Sequence, residues 1–336
     1  MSHCCPGIDI HTHVVPENLP AYLGAAAPER WPSMAPAQAC HRHVMIAGEV
    51  FRTVSDQCWD ENRRAADMDA MGIGQQVLSP MPELLSYWLD GAAAAQLTRH
   101  LNGDIARMCA AYPGRFHGLG AVPLQDVDRA IAELDHALHT LKLSGVEIGT
   151  NINGVPIGDP CFEPFFAAAE AWGAAIFVHP LKACAMERVV GPAVLEQVLA
   201  FPCETGLAAA SLITGGTLAK HPQLRIAFSH GGGAFGALAA RLNHAWSVFP
   251  ALREGIPQAP LEMARRFYYD SLVYNAALLE QQIALFGATQ TMIGTDYPFI
   301  ILDKDPQGRI DALSVDDATK TLLRRDNARR WLGLDV

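Results

Sequence analysis

Eight short runs of aliphatic and β-branched residues recur along this chain, with longer Ala- and Leu-rich runs of helical spacing between them. The β-like runs are GIDIH (7–11), QQVLSP (75–80), FHGLGAVPL (116–124), GVEIG (145–149), AAIFVHP (174–180), LRIAFSH (224–230), RFYYDSLV (266–273) and TQTMIGTDYP (289–298). Helix-like runs such as DENRRAADMDAMG (60–72), QLTRHLNGDIARMCAAYPG (96–114) and PFFAAAEAWG (164–173) separate them, and several stop at Gly or Pro, as helices do. A last one, DDATKTLLRRDNARRWLG (316–333), follows the eighth strand. Near-continuous apolar strands alternating with helices point to a parallel sheet covered on both faces. Eight such pairs make an α/β fold of the (β/α)8 TIM-barrel type the natural reading, ahead of an open doubly wound sheet. A chain of 336 residues, half of them hydrophobic, has the length for one such domain over 1–336.

The alternation breaks once, between residues 14 and 58. That stretch is rich in Pro and Ala and then reads HRHVMIAGEVFRTV (41–54), a small β-hairpin around Ala47-Gly48 inserted after the first strand.

The formal net charge of −10 and the lack of any Lys/Arg stripe argue against a nucleic-acid partner and favour a small molecule. Eight cysteines (Cys4, Cys5, Cys40, Cys58, Cys109, Cys161, Cys184 and Cys203) are scattered without a C-x-x-C pair, as in chains whose thiols are small buried hydrophobes. The start of the chain carries no basic-then-apolar leader, and no apolar run reaches the roughly 18 residues of a membrane span. A cytoplasmic protein without a membrane partner is expected.

In a TIM barrel the chemistry gathers at the C-terminal ends of the strands. Strand 1 ends with His11 and His13, strand 5 with His179, strand 6 with His230 and strand 8 with Asp296. His11 and His13 alternate along a strand and so face one side together. His11, His13, His179 and Asp296 form a ligand set suited to Zn²⁺ or a neighbouring divalent metal, with His230 left beside it as a base. Each residue alone has a bland reading, as a hydrogen-bonded structural His or a capping Asp; their convergence at one end of one barrel argues for a site. A second H-x-H, His41 and His43, belongs to the hairpin and has no metal role.

Other motifs carry less. GGGAFG (231–236) matches G-x-G-x-x-G, but no acidic strand end follows at the spacing a dinucleotide site needs, so its glycines serve close backbone approach instead. HGGG suits an esterase oxyanion loop, yet no G-x-S-x-G nucleophile elbow occurs. Glu147, on strand 4, is expected in the barrel interior, hydrogen-bonded to a neighbour; the alternative is a carboxylate reaching the metal. No Lys stands at that strand end to bridge two metals.

IDIHTH, FRTVSDQCWD, VEIGTNING, FVHP, SHGGGAFGALAARLNHAW and MIGTDYPF together resemble the amidohydrolase superfamily, and within it the metal-dependent nonoxidative decarboxylases, over nearly the whole chain. The resemblance implies that His11, His13, His179 and Asp296 hold one Zn²⁺ and that His230 deprotonates or orients the water held there. It implies that Arg52 pairs with a substrate carboxylate, and that Arg241 reaches the active site of a partner subunit in a homodimer. It further implies an unsaturated or aromatic carboxylic acid substrate from aromatic catabolism, 2-amino-3-carboxymuconate-6-semialdehyde or a close analogue. Without the resemblance, Arg52 reads as a solvated hairpin charge and Arg241 as a helix-surface charge.

Two departures bear on the substrate. The family's second inter-subunit arginine is replaced by Phe249, and its aromatic residue after HP by Leu181, followed by Lys182. The rival readings are a metal-dependent hydrolase or hydratase on a related ring-cleavage product, and a catalytically silent binding barrel. A nicotinamide dehydrogenase ranks third.

Overall fold

The computed structural model of the chain describes residues 6–183 and 186–334. Cys4, Cys5 and Cys184 lie outside the described residues. Eight strands run parallel in chain order: β1 (Gly7–Val14), β2 (Ile73–Pro80), β3 (Phe116–Gly120), β4 (Gly145–Gly149), β5 (Ala175–His179), β6 (Arg225–Phe228), β7 (Tyr268–Asp270) and β8 (Thr291–Met292). Each pairs with its successor, and parallel bridges Asp9–Ile293 and Thr12–Tyr297 bring the eighth back to the first. Backbone bonds Ile10 N–H to Ile293 O (2.9 Å) and His13 N–H to Tyr297 O (2.7 Å) seal that join. The result is the expected (β/α)8 barrel.

Helices α1 (Glu61–Ala70), α2 (Gly91–Ala111), α3 (Val127–Asp135), α4 (Glu163–Ala171), α5 (Phe201–Thr214), α6 (Phe235–Val248), α7 (Ala276–Phe286) and α8 (Asn327–Leu332) follow the eight strands in turn. Their starts are set by short polar side chains. Asp60 accepts from the N–H groups of Asn62 and Arg63, Asp90 from those of Ala92 and Ala93, and Asn275 from those of Ala277 and Leu278. With helices outside and side chains inside, all eight residues of β1 are buried, which is why that strand shows no polar face.

Several strand tips are shorter than the apolar runs suggest. The third run is strand only to Gly120, and the last two are strand over Tyr268–Asp270 and Thr291–Met292. The remaining residues leave the sheet as loops that carry side chains over the barrel mouth.

The insertion forms a three-stranded antiparallel sheet of Ser33–Pro36, His41–Ile46 and Glu49–Ser55. The hairpin turns at Ala47 (φ 54°) and Gly48 (φ 77°), both left-handed, as a two-residue turn between twisted strands requires. Its first strand, Ser33–Pro36, has no period-2 signal and escapes a reading by pattern.

Arg64 of α1 is fully buried and donates to Thr12 Oγ1 (3.2 Å), Gln76 Oε1 (3.2 Å) and the His13 carbonyl (2.5 Å), with its guanidinium 4.7 Å from the centre of the Tyr297 ring. It pins the end of β1, where the histidines sit, to the helix that follows the insertion.

Candidate metal centre and active site

His11, His13, His179 and Asp296 meet at the barrel mouth. One ligand atom from each lies within 4.8 Å of all the others, and all four residues are buried. The alternation of β1 puts the first two side by side, β5 ends on the third, and the loop after β8 supplies the fourth. The Asp296 backbone N–H donates to the His11 carbonyl (2.9 Å), which fixes that loop across the closing seam.

Each ring is held at its outer nitrogen. His13 Nδ1 donates to the Pro80 carbonyl (3.2 Å) and His179 Nδ1 to the Pro180 carbonyl (2.9 Å); a carbonyl can only accept, so both protons sit on Nδ1. His11 Nδ1 lies 2.7 Å from Asp270 Oδ2. The three Nε2 lone pairs are thereby turned inward. His179 Nε2 is buried without a hydrogen-bond partner, and His11 Nε2 stands 3.2 Å from His13 Nε2. Facing lone pairs are stabilised by a positive charge between them, so the donor set fits a divalent cation.

The electrostatics agree. Burial works against a charged His11, but its hydrogen bond to Asp270 and the field of Asp296 outweigh it and lift the imidazole to about 9. Burial also opposes a charged Asp296, yet the close His13 ring, Nε2 3.3 Å from Oδ1, and the His11 charge hold its carboxyl at about 2. Burial and the surrounding imidazoles push His179 well below the usual histidine range. The pocket draws a cation and allows only one ring to carry it as a proton.

His230 stands beside this set, its ring centre 5.3 Å from that of His11 and 5.1 Å from that of His179. Burial and then the His11 charge push it down to about 4, so it is a neutral imidazole able to accept a proton. Its backbone is left-handed (φ 54°), as is that of Asp296 (φ 64°), a conformation rare outside glycine and typical of strained functional positions. The glycines after His230 are there for close approach. A Cβ on Gly233 would stand 2.0 Å from the Pro202 carbonyl, and one on Gly231 2.4 Å from Val273. The dinucleotide motif is therefore a coincidence of spacing.

Arg52, from the hairpin, reaches a cavity of about 1110 Å³ over the same residues, together with Glu83, Lys182, His230, Asp296 and Phe299. Its guanidinium carbon is 4.5 Å from the centre of the Phe299 ring. Phe299 in turn stacks on His13, with ring centres 5.2 Å apart. Leu181 and Lys182 also line the cavity, the first buried and the second exposed. Arg241 does not reach it: it is exposed on α6, where Leu238 and Val248 are also exposed, as is Phe249 just past the helix end. His43 is bonded within the hairpin to Thr53 Oγ1 (2.9 Å), and His41 stands on the cavity rim.

Glu147 is fully buried inside the barrel, 3.8 Å from His13 Nδ1. The expected hydrogen-bonded neighbour is missing, since neither carboxylate oxygen has a hydrogen-bond partner, and burial lifts the group to about 8. Its carboxylate is on the far side of the His13 ring from Nε2, outside the ligand set.

Two functional groups escape the sequence reading. Asp270, at the end of β7, accepts from His11 Nδ1 and from the backbone N–H groups of His230 (2.9 Å) and Gly231 (2.7 Å). Glu83 faces Arg52 across the cavity. An acidic residue at a barrel strand end was the available clue for the first; the second depends on how the insertion folds over the mouth.

The family model described as amidohydrolase matches residues 8–334. A 2-amino-3-carboxymuconate-6-semialdehyde decarboxylase of Dictyostelium discoideum is 35% identical over 331 residues, covering 98% of this chain and 92% of that protein. The crystal structure of a 2,6-dihydroxybenzoate decarboxylase from Rhizobium superposes with a TM-score of 0.79 at 23% identity, over 99% of this chain and 100% of its own. A dihydroxybenzoic acid decarboxylase from Polaromonas, solved with bound manganese and 2-nitroresorcinol, gives 0.76 at 20% identity, over 98% and 97%. Among the described residues, no helix is long and apolar enough to cross a membrane.

Proposed function

The chain belongs to the amidohydrolase family, and from that premise we propose that it is a metal-dependent nonoxidative decarboxylase of an unsaturated or aromatic carboxylic acid. 2-Amino-3-carboxymuconate-6-semialdehyde or a close analogue is the substrate the 35% identity favours. The observation that carries the reading is the inward turn of three Nε2 lone pairs and Asp296 under a cavity that also holds a neutral histidine and an arginine.

His11, His13, His179 and Asp296 hold the metal, with Zn²⁺ as the first candidate and manganese, present in a structural relative, as the second. When bound, a divalent ion supplies Lewis acidity at a substrate oxygen, which spreads the electron pair left behind as the C–C bond breaks. Arg52 pairs with a substrate carboxylate and sets the ring or chain over Phe299. Loss of CO₂ leaves a carbon that must gain a proton, and His230, neutral and half-buried beside the ligands, takes one from water and returns it to that carbon. Asp270 positions both the His11 ring and the backbone of His230. The exposed apolar face of α6 around Arg241 supports a homodimer in which Arg241 serves the partner's cavity. Five unpaired cysteines, Cys40, Cys58, Cys109, Cys161 and Cys203, suit a reducing cytoplasm.

The test is direct. Zinc-loaded protein is mixed with freshly generated 2-amino-3-carboxymuconate-6-semialdehyde, and its absorbance decay is followed together with CO₂. Decay well above the spontaneous rate with stoichiometric CO₂ is expected; a hydrolysed or hydrated product without CO₂ would overturn the reading.

A further inference from the structure

The cavity holds a carboxylate that the proposed chemistry does not use. Glu83 sits in a short turn after β2, its side chain only 12% exposed, with Oε1 3.7 Å from Arg52 Nη2. That separation exceeds a hydrogen bond, and Arg52 is the one cation within 4 Å of Glu83 among the described residues. Burial, only partly offset by Arg52, raises the Glu83 carboxyl above its usual range. An acid kept this dry at the mouth of a carboxylate-binding cavity weakens anion binding unless it has a donor to meet.

The spacing indicates what that donor is. A group bonded to Arg52 Nη2 and a group bonded to Glu83 Oε1 end up about as far apart as two substituents on neighbouring carbons. We propose that Glu83 is a specificity residue: it accepts a hydrogen bond from an amino or hydroxyl group on the carbon next to the carboxylate held by Arg52, and it repels a second carboxylate at that place. This rests on the decarboxylase reading above and narrows its substrate to acids with such a donor beside the gripped carboxylate.

Benzoate, 2-aminobenzoate and benzene-1,2-dicarboxylate serve as probes, titrated calorimetrically into the zinc-loaded full-length protein. The wild type is expected to bind 2-aminobenzoate about tenfold more tightly than benzoate and the dicarboxylate about tenfold more weakly, the scale of one charge-assisted contact each way. In Glu83→Gln the roughly hundredfold gap between the amino acid and the dicarboxylate should shrink to within about threefold, with zinc content unchanged. A residue that only steadies Arg52 would shift all three ligands together and leave the gap intact; an intact gap overturns the proposal. Equal binding of all three by the wild type overturns it too, without need of the variant, while leaving the decarboxylase reading in place. If the wild type binds none of them, this inference is overturned, while the decarboxylase reading is decided separately by the CO₂ assay above.

Discussion

The floor of the active site and its rim are built in opposite ways. On the floor, His11, His13, His179 and Asp296 come from strand ends or the loop that closes the barrel, all buried, with each imidazole tied through Nδ1 to a carbonyl or to Asp270. On the rim, Arg52 comes from an inserted hairpin and Glu83 from a loop turn; their ion pair is 3.7 Å long, and Lys182 and Ile300 are exposed beside them. A ring carried on the barrel wall and tied at Nδ1 cannot shift without breaking those bonds, whereas a guanidinium resting on Phe299 can be retuned by one neighbour. On the proposed function, reaction type resides in the floor and substrate choice in the rim, and the departures Leu181, Lys182 and Phe249 all fall outside the floor.

Three substitutions test that division. His230→Gln should lower kcat by roughly a thousandfold, the usual range for a lost general base, with metal content unchanged by elemental analysis; loss of metal would instead make His230 a ligand. Asp270→Asn should weaken metal affinity by about 10- to 100-fold, read by competition with a chelator, because the partner that orients His11 and favours its charge is neutralised. Unchanged affinity would show that the floor does not depend on its outer bonds. Arg52→Lys should raise KM about tenfold while kcat and metal affinity stay within twofold, since an ammonium cannot make the planar two-point grip on a carboxylate. A kcat loss as large as that of His230→Gln would erase the distinction between floor and rim.

The barrel and its floor were legible because both depend on local signals. The apolar runs mark the strands, and a strand's end marks the mouth of a barrel, so His11, His13, His179, His230 and Asp296 could be gathered from sequence position alone. The glycines after His230 were readable as points of close approach, and the contact of a Gly233 Cβ with the Pro202 carbonyl bears that out. Asp270 was not read, because its importance lies in reaching His11, 259 positions away, and no local pattern records that. Glu83 was hidden for the same reason: in MPELL it looks like a first-turn acid, and only the fold of the insertion brings Arg52 opposite. Glu147 was placed correctly in the interior, but its missing hydrogen bonds depend on neighbours from several strands.

The seam between β1 and β8 also sets an order of events in the life of the molecule. A chain made from its N-terminus displays His11 and His13 on the first barrel strand, but Asp296 lies in the loop after the eighth and is made much later. Until that stretch arrives, Asp9 lacks the Thr295 hydroxyl and backbone N–H that bind its carboxylate at 2.6 and 3.1 Å, and the two histidines are an incomplete chelate on an unsealed sheet. The full ligand set thus assembles only once the eighth strand closes the barrel, and a chain cut short before residue 296 could not hold an ion with all four residues.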